Sequence, residues 1–128
     1  MIVKIPLKEI TQNIQLLSDL TTNTMPARTA YKFTKIIKQC VDEVNQYNAA
    51  RKALIEKYAQ RNEENEIIYD NNQATVSSDN YTLFQQELND LLNTEVEINV
   101  LPIKLNELDN LDFTPGQLIM LYPFIEEE

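Results

Sequence analysis

The chain has no histidine and no tryptophan, one glycine and one cysteine. Each shortage closes off chemistry. Without histidine, the commonest general base and the commonest metal ligand are missing. With Gly116 as the lone glycine, neither a glycine-rich phosphate loop nor a dinucleotide fingerprint can be built. Cys40 alone cannot make a zinc site of ordinary type or an internal disulfide, and its usage fits a reducing compartment. No apolar run approaches the roughly 18 residues of a membrane span. The opening Met1-Ile2-Val3-Lys4-Ile5-Pro6 turns polar too early for a secretory signal.

Positive charge is nearly absent from the second half. Residues 62–128 hold Lys104 against fifteen acids, while residues 1–61 hold the other ten bases against five acids. The net charge of −9 therefore conceals +5 and −14. Such a division gives a strong dipole, which orients an anionic ligand, a charged partner or a second copy of the chain. At 128 residues and 43% hydrophobic, the chain reads as a single domain over 1–128 with a real core.

Local patterns predict an α+β fold. Residues 2–6 form a short edge strand ending at Pro6. Leu7, Ile10, Ile14, Leu17 and Leu20 recur at helical steps, and Thr21–Thr24 breaks them. Pro26 then sits in the first turn of a long helix, capped by Thr24 or Met25. Its seam is Phe33, Ile37, Cys40, Val44, Tyr47, Leu54 and Tyr58, with Arg51 in the one gap. Unbroken from Pro26 to Arg61 it would span about 54 Å, against a radius of gyration of about 14 Å for a domain this size. Either it breaks near Asn45–Asn48, or part of it packs on another chain; a dimer through a coiled-coil-like seam is the favoured expectation.

After it come a polar acidic loop, a short strand at 67–69 that returns through Ala74-Thr75-Val76, and a helix capped by Ser78 or Asp79 with Phe84, Leu88, Leu91 and Leu92 on its apolar face. Residues 95–100 alternate as a strand, and Thr114-Pro115 opens a short helix that closes before Pro123. The expected architecture is a long helix in a helical hairpin, packed with a small antiparallel sheet from residues near 2–6, 67–69 and 95–101, and a short C-terminal helix. The acidic tail 126–128 is expected to fray.

Candidate sites follow from charge at odd places. Arg28, Lys32, Lys35, Lys57 and Arg61 share about a quarter of the long helix, opposite its seam. They form either an ordinary solvated face or a phosphate-holding stripe. Arg51 stands where the seam wants an apolar side chain. It either makes a register-setting ion pair or faces a ligand, with Tyr47 and Tyr58 as stacking walls. Glu95 and Glu97 share a strand face, which is either its wet side or a cation site. Asp109 and Asp112 in a loop pose the same choice. Cys40 lies in the apolar stripe and reads as a structural thiol. The acidic runs at 63–66 and 126–128 are solubilising, or else contact segments that imitate a nucleic-acid backbone.

Three segments carry a family likeness: Pro26-Ala27-Arg28-Thr29-Ala30-Tyr31-Lys32-Phe33, Leu91-Leu92-Asn93-Thr94-Glu95-Val96-Glu97-Ile98, and Thr114-Pro115-Gly116-Gln117-Leu118 followed by Tyr122-Pro123-Phe124-Ile125-Glu126-Glu127. Together they resemble a group of small, largely uncharacterised proteins carried by phages and prophages, mainly of Gram-positive bacteria. The resemblance implies a phage origin and residence in the host cytoplasm. It carries no catalytic motif.

The expected function is a non-catalytic binding protein that counters host defence. In its sharper form it sequesters a small anionic, nucleotide-like ligand on Arg28, Lys32, Lys35 and Arg51, with Tyr31, Tyr47 and Tyr58 as stacking groups. The alternative is a structural or assembly protein of the phage particle. No cofactor and no metal are expected. Partners would be a second copy in a homodimer or higher oligomer, and the ligand or a host defence protein. Neither duplex nucleic acid, which the acidic half would repel, nor a membrane is expected.

Overall fold

Pro6 joins the first strand to the first helix without a loop. In the computed structural model, which describes residues 1–109 and 111–126, β1 (Ile2–Pro6) runs straight into α1 (Leu7–Asp19). A proline at φ −60° suits both the end of an extended strand and the residue before a first helical turn. Leu7, Ile10 and Leu17 of α1 are buried, as is Leu20 in the 3₁₀ turn Leu20–Thr22 that follows. That is the stripe the helical spacing predicts.

The long helix α2 (Ala27–Lys57) has 31 residues and passes through Asn45–Asn48 without a break. The Pro26 carbonyl accepts the first bond, from the Ala30 amide at 2.9 Å. The helix stops four residues short of the expected Arg61, because Ala59 and Arg61 turn to bridge Val76 and Ile67. Contacts sort the chain into two compact units, residues 1–44 with the described part of 95–128, and residues 45–94. The first part of α2 belongs to one and the remainder to the other.

The first unit owns the main core. β1 pairs antiparallel with β4 (Glu95–Asn99), with Val3 opposite Ile98 and Ile5 opposite Val96. Those four join Phe33, Ile36 and Cys40 of α2 in the core. Lys4 and Glu97 stand opposite each other on the wet face, where cross-strand opposite charges are favourable. The C-terminal stretch adds a feature that local pattern did not predict, a parallel pair of β5 (Ile103–Lys104) with β6 (Ile125–Glu126). Glu126 is thus paired rather than frayed, and residues 127 and 128 of the expected tail lie outside the described residues.

Between those two strands, α4 (Pro115–Leu121) starts on a reciprocal cap. Thr114 Oγ1 accepts from the Gln117 amide at 3.2 Å, and Gln117 Oε1 accepts from the Thr114 amide at 3.0 Å. Pro115 occupies the first helical position, where its missing N–H is harmless. Met120 and Leu121 are buried by this helix, so its cap matters to the core. Thr114→Ala should cost about 1 kcal/mol, read as a shift in the urea midpoint at constant m.

The second unit is built from local turns. Asn62 Oδ1 accepts from the Glu64 and Glu66 amides, each at 2.9 Å, and Asn65 takes a left-handed φ of 64°. β2 (Tyr69–Asp70) and β3 (Gln73–Ala74) then form a hairpin across Asn71 and Asn72, at φ 52° and 65°. Two left-handed positions in a row make the turn that matches strand twist, and asparagine tolerates them. This corrects one expectation. Tyr69 pairs with Ala74 and not with residues 2–6 or 95–101, because a two-residue turn closes at far lower entropic cost than a long loop. Ser78 and Asp79 lie inside a 3₁₀ turn, Ser78–Asn80, and give no side-chain cap to α3 (Tyr81–Leu92). Phe84 is the one fully buried side chain of α3, and among the described residues no helix is long and apolar enough to cross a membrane.

Candidate functional site

The remainder of α2 presents a row at three- and four-residue steps: Asn48, Arg51, Lys52, Ile55 and Glu56. The hairpin faces it with Tyr69, Asn72, Gln73 and Ala74. Between these walls lies a cleft of about 480 Å³, wholly within residues 45–94. Arg51 is exposed there. The gap it makes in the apolar seam is therefore not a buried charge seeking a partner. Arg51 lines the cleft from the edge of the seam, whose neighbours Tyr47, Leu54 and Tyr58 lie outside it. Arg51 and Lys52 take part in no salt bridge among the described residues. Two cations, one carboxylate and three side-chain amides thus share one concave surface, a composition that can hold an anion with forked and point-charge donors.

The other expected site residues do not gather with Arg51. Tyr31 and Lys35 line a separate groove of about 530 Å³ in the first unit, together with Lys38, Asp42 and Asn99. The Lys35 ammonium already sits over the Tyr31 ring, 5.9 Å from its centre. Gln39 crosses the floor of this groove: its amide donates to the Asn99 carbonyl at 2.7 Å and accepts from the Asn99 amide at 2.9 Å. Arg28 is exposed in the first turn of α2, outside both depressions.

Lys32 is held inward. Its ammonium donates to Glu107 Oε1 at 2.6 Å and to the Pro102 carbonyl at 2.9 Å, and its side chain is only 15% exposed. Thr29, buried one turn earlier, donates to the other Glu107 oxygen at 3.2 Å. Burial pushes the Glu107 carboxyl up, but the Lys32 hydrogen bond, the Lys104 amide, the Lys32 charge and the Thr29 hydroxyl together outweigh it and hold it below the usual carboxylate range. Lys32 therefore ties α2 to the 3₁₀ turn Leu105–Leu108 and presents no free charge to a ligand.

Tyr58 belongs to a third polar group. Lys57 lies 5.1 Å from its ring and donates to both Glu87 oxygens, at 3.1 and 3.3 Å. The Tyr58 hydroxyl, then Lys57, hold the Glu87 carboxyl low, and the same bond to Glu87 holds the Lys57 ammonium high. Tyr47 is half-buried and lines none of these depressions. Arg61 spends its guanidinium on backbone carbonyls, those of Asn65 at 3.0 Å and Glu56 at 3.4 Å. Cationic donors at the last carbonyls of a helix are favourable, and they explain the basic residue at this end.

Glu95 and Glu97 are both exposed on β4, and among the described residues no group of three metal-ligating side chains is close enough to hold an ion. Cys40 is buried in the core. Burial first, and then the Glu43 charge, push its thiol to about 11, which leaves it a packing residue.

Sequence reasoning missed Asn48, Lys52, Glu56 and the entire hairpin wall of the cleft. The helix wall was within reach, since Arg51 marks the face and its three- and four-step neighbours complete it. The hairpin wall was not, because nothing local says which helix face a hairpin covers.

No curated protein matches this chain, and no solved structure does. The model of the family described as Protein of unknown function (DUF1617) matches residues 1–116, and the chain belongs to that family.

Proposed function

We propose that this chain is a non-catalytic binding protein whose site is the cleft between the latter part of α2 and the β2–β3 hairpin, and whose ligand is a small anion. The observation that carries this reading is the meeting of Arg51 and Lys52, neither in a salt bridge among the described residues, with three side-chain amides in one cavity. The likeness of three segments to phage and prophage proteins supplies the setting: a phage-encoded protein that counters host defence in the host cytoplasm by sequestering a signal. A homodimer or higher oligomer is part of the proposal. From Asn45 to Lys57, α2 buries no side chain fully: Tyr47, Leu54 and Ile55 are half-buried, and a second copy would complete their burial.

A second reading, assembly of the phage particle through protein contacts, is favoured by α4 and the residue after it. Ile119 and Tyr122 there are 76% and 65% exposed, with Leu118 beside them. Native mass spectrometry of protein from infected cells separates the two. Sequestration requires one small anion per chain, lost in Arg51→Gln/Lys52→Gln, whose affinity should fall at least about tenfold. Ligand-free protein found in purified virions would establish assembly instead.

A further inference from the structure

We infer that the ligand of this cleft is a nucleoside monophosphate, an inference that rests on the binding reading above. Size sets the first limit. About 480 Å³ is at the lower end of small-molecule sites and holds one nucleotide, not an oligonucleotide. Charge sets the second. Arg51 and Lys52 against Glu56 leave one net positive charge in the cleft. The two cations match the two charges a phosphate monoester carries at neutral pH, whereas the extra charges of a triphosphate would have only Glu56 to face.

The remaining lining matches the other two parts of such a molecule. Tyr69 is 58% exposed and offers a ring face on the hairpin wall, opposite the helix that carries the cations. A planar base stacks on such a face without regard to its identity. Glu56, half-buried one turn after Lys52, is an acceptor that a ribose diol can satisfy with two O–H donors. Asn72 and Gln73 at the hairpin turn carry amides, which both donate and accept, as the edge of a base requires. Phosphate, sugar and base thus each meet a group of the right chemistry on one surface.

Titration calorimetry on the full chain tests this, with AMP, GMP, CMP and UMP against ribose 5-phosphate, adenosine, inorganic phosphate and ATP. At least one monophosphate should bind at least about tenfold tighter than ribose 5-phosphate, which lacks the ring, and than adenosine, which lacks the charge. ATP should bind more weakly than AMP. Tyr69→Ala should lose about tenfold on the monophosphate and nothing on ribose 5-phosphate, while Tyr69→Phe should stay within about twofold. Because Tyr69 is exposed, both variants keep the fold, which an unchanged melting curve verifies.

Ribose 5-phosphate or phosphate binding as tightly as AMP, with loss in Arg51→Gln, would overturn the nucleotide and leave the anion-binding reading standing. A different anion found by native mass spectrometry, with no monophosphate bound in calorimetry, would do the same. No binding of any probe, together with ligand-free protein from infected cells, would overturn both.

Discussion

Ile36→Ala should lower folding stability by about 3–4 kcal/mol, among the largest effects expected of a single truncation in α2. Ile36 is fully buried, at the centre of a core that also receives α1, β1, β4 and the C-terminal segment. Removing three carbons there forfeits their transfer energy and leaves a cavity that close-packed neighbours cannot fill. In a chain of 128 residues this corresponds to a fall of roughly 10–15 °C in melting temperature. Leu54→Ala, two and a half heptads further along the same helix, should cost only about 1 kcal/mol, since Leu54 is half-buried. Urea denaturation followed by circular dichroism measures both. Equal losses would mean that the latter part of α2 is buried by something beyond this chain's own side chains, as the oligomer proposal allows.

The contrast between those two positions shows what the sequence could and could not reveal. The 4-3 spacing of α2 puts Ile37 and Leu54 on the seam and leaves Ile36 beside it, yet Ile36 is fully buried while Ile37 and Leu54 are only half-buried. Burial depends on what lies across from the helix. Phe33 has Phe113 at 6.3 Å between ring centres, a partner 80 positions away that no local pattern identifies. Much short-range chemistry was legible: the Leu7–Leu20 stripe, the Thr114-Pro115 start, the alternation of 95–99 and the return after Tyr69 all depend on neighbours within a few residues, although the expected Ser78 or Asp79 cap of α3 is not made. The sheet membership of 67–69 was not, because a strand of this length fits any edge and a two-residue asparagine turn decided the matter locally. The cleft was half legible. A cation at a seam position can mean a buried pair or an open wall, and the choice depends on a hairpin whose placement the helix does not encode.

Lys32 shows the same limit from the other side, and it leads to the second large effect. On the helix it belongs to the basic stripe, yet Glu107, 75 positions away, claims it. Glu107→Ala should cost about 2 kcal/mol at neutral pH, because it leaves a mostly buried ammonium uncompensated on the Pro102 carbonyl alone and the buried Thr29 hydroxyl without its acceptor. Lys32→Met should cost a similar amount by leaving the carboxylate uncompensated. The double variant Lys32→Met/Glu107→Leu should cost at least about 1 kcal/mol less than the two single losses together, since matched apolar groups need no partner.

The pH dependence has a definite direction. The fold favours the ionised form of Glu107, so its carboxyl titrates lower in the folded than in the unfolded chain. Its contribution is fully present above the unfolded value of about 4.3 and disappears as pH falls through the lower folded one. Glu107→Gln should therefore lose stability at pH 7 and show a flatter acid limb below about pH 5 than the parent, in melts taken at half-unit steps. Additive single losses, or an acid limb unchanged by Glu107→Gln, would reduce the pair to a surface contact. Lys32 would then be returned to the exposed stripe from which its position on the helix first drew attention.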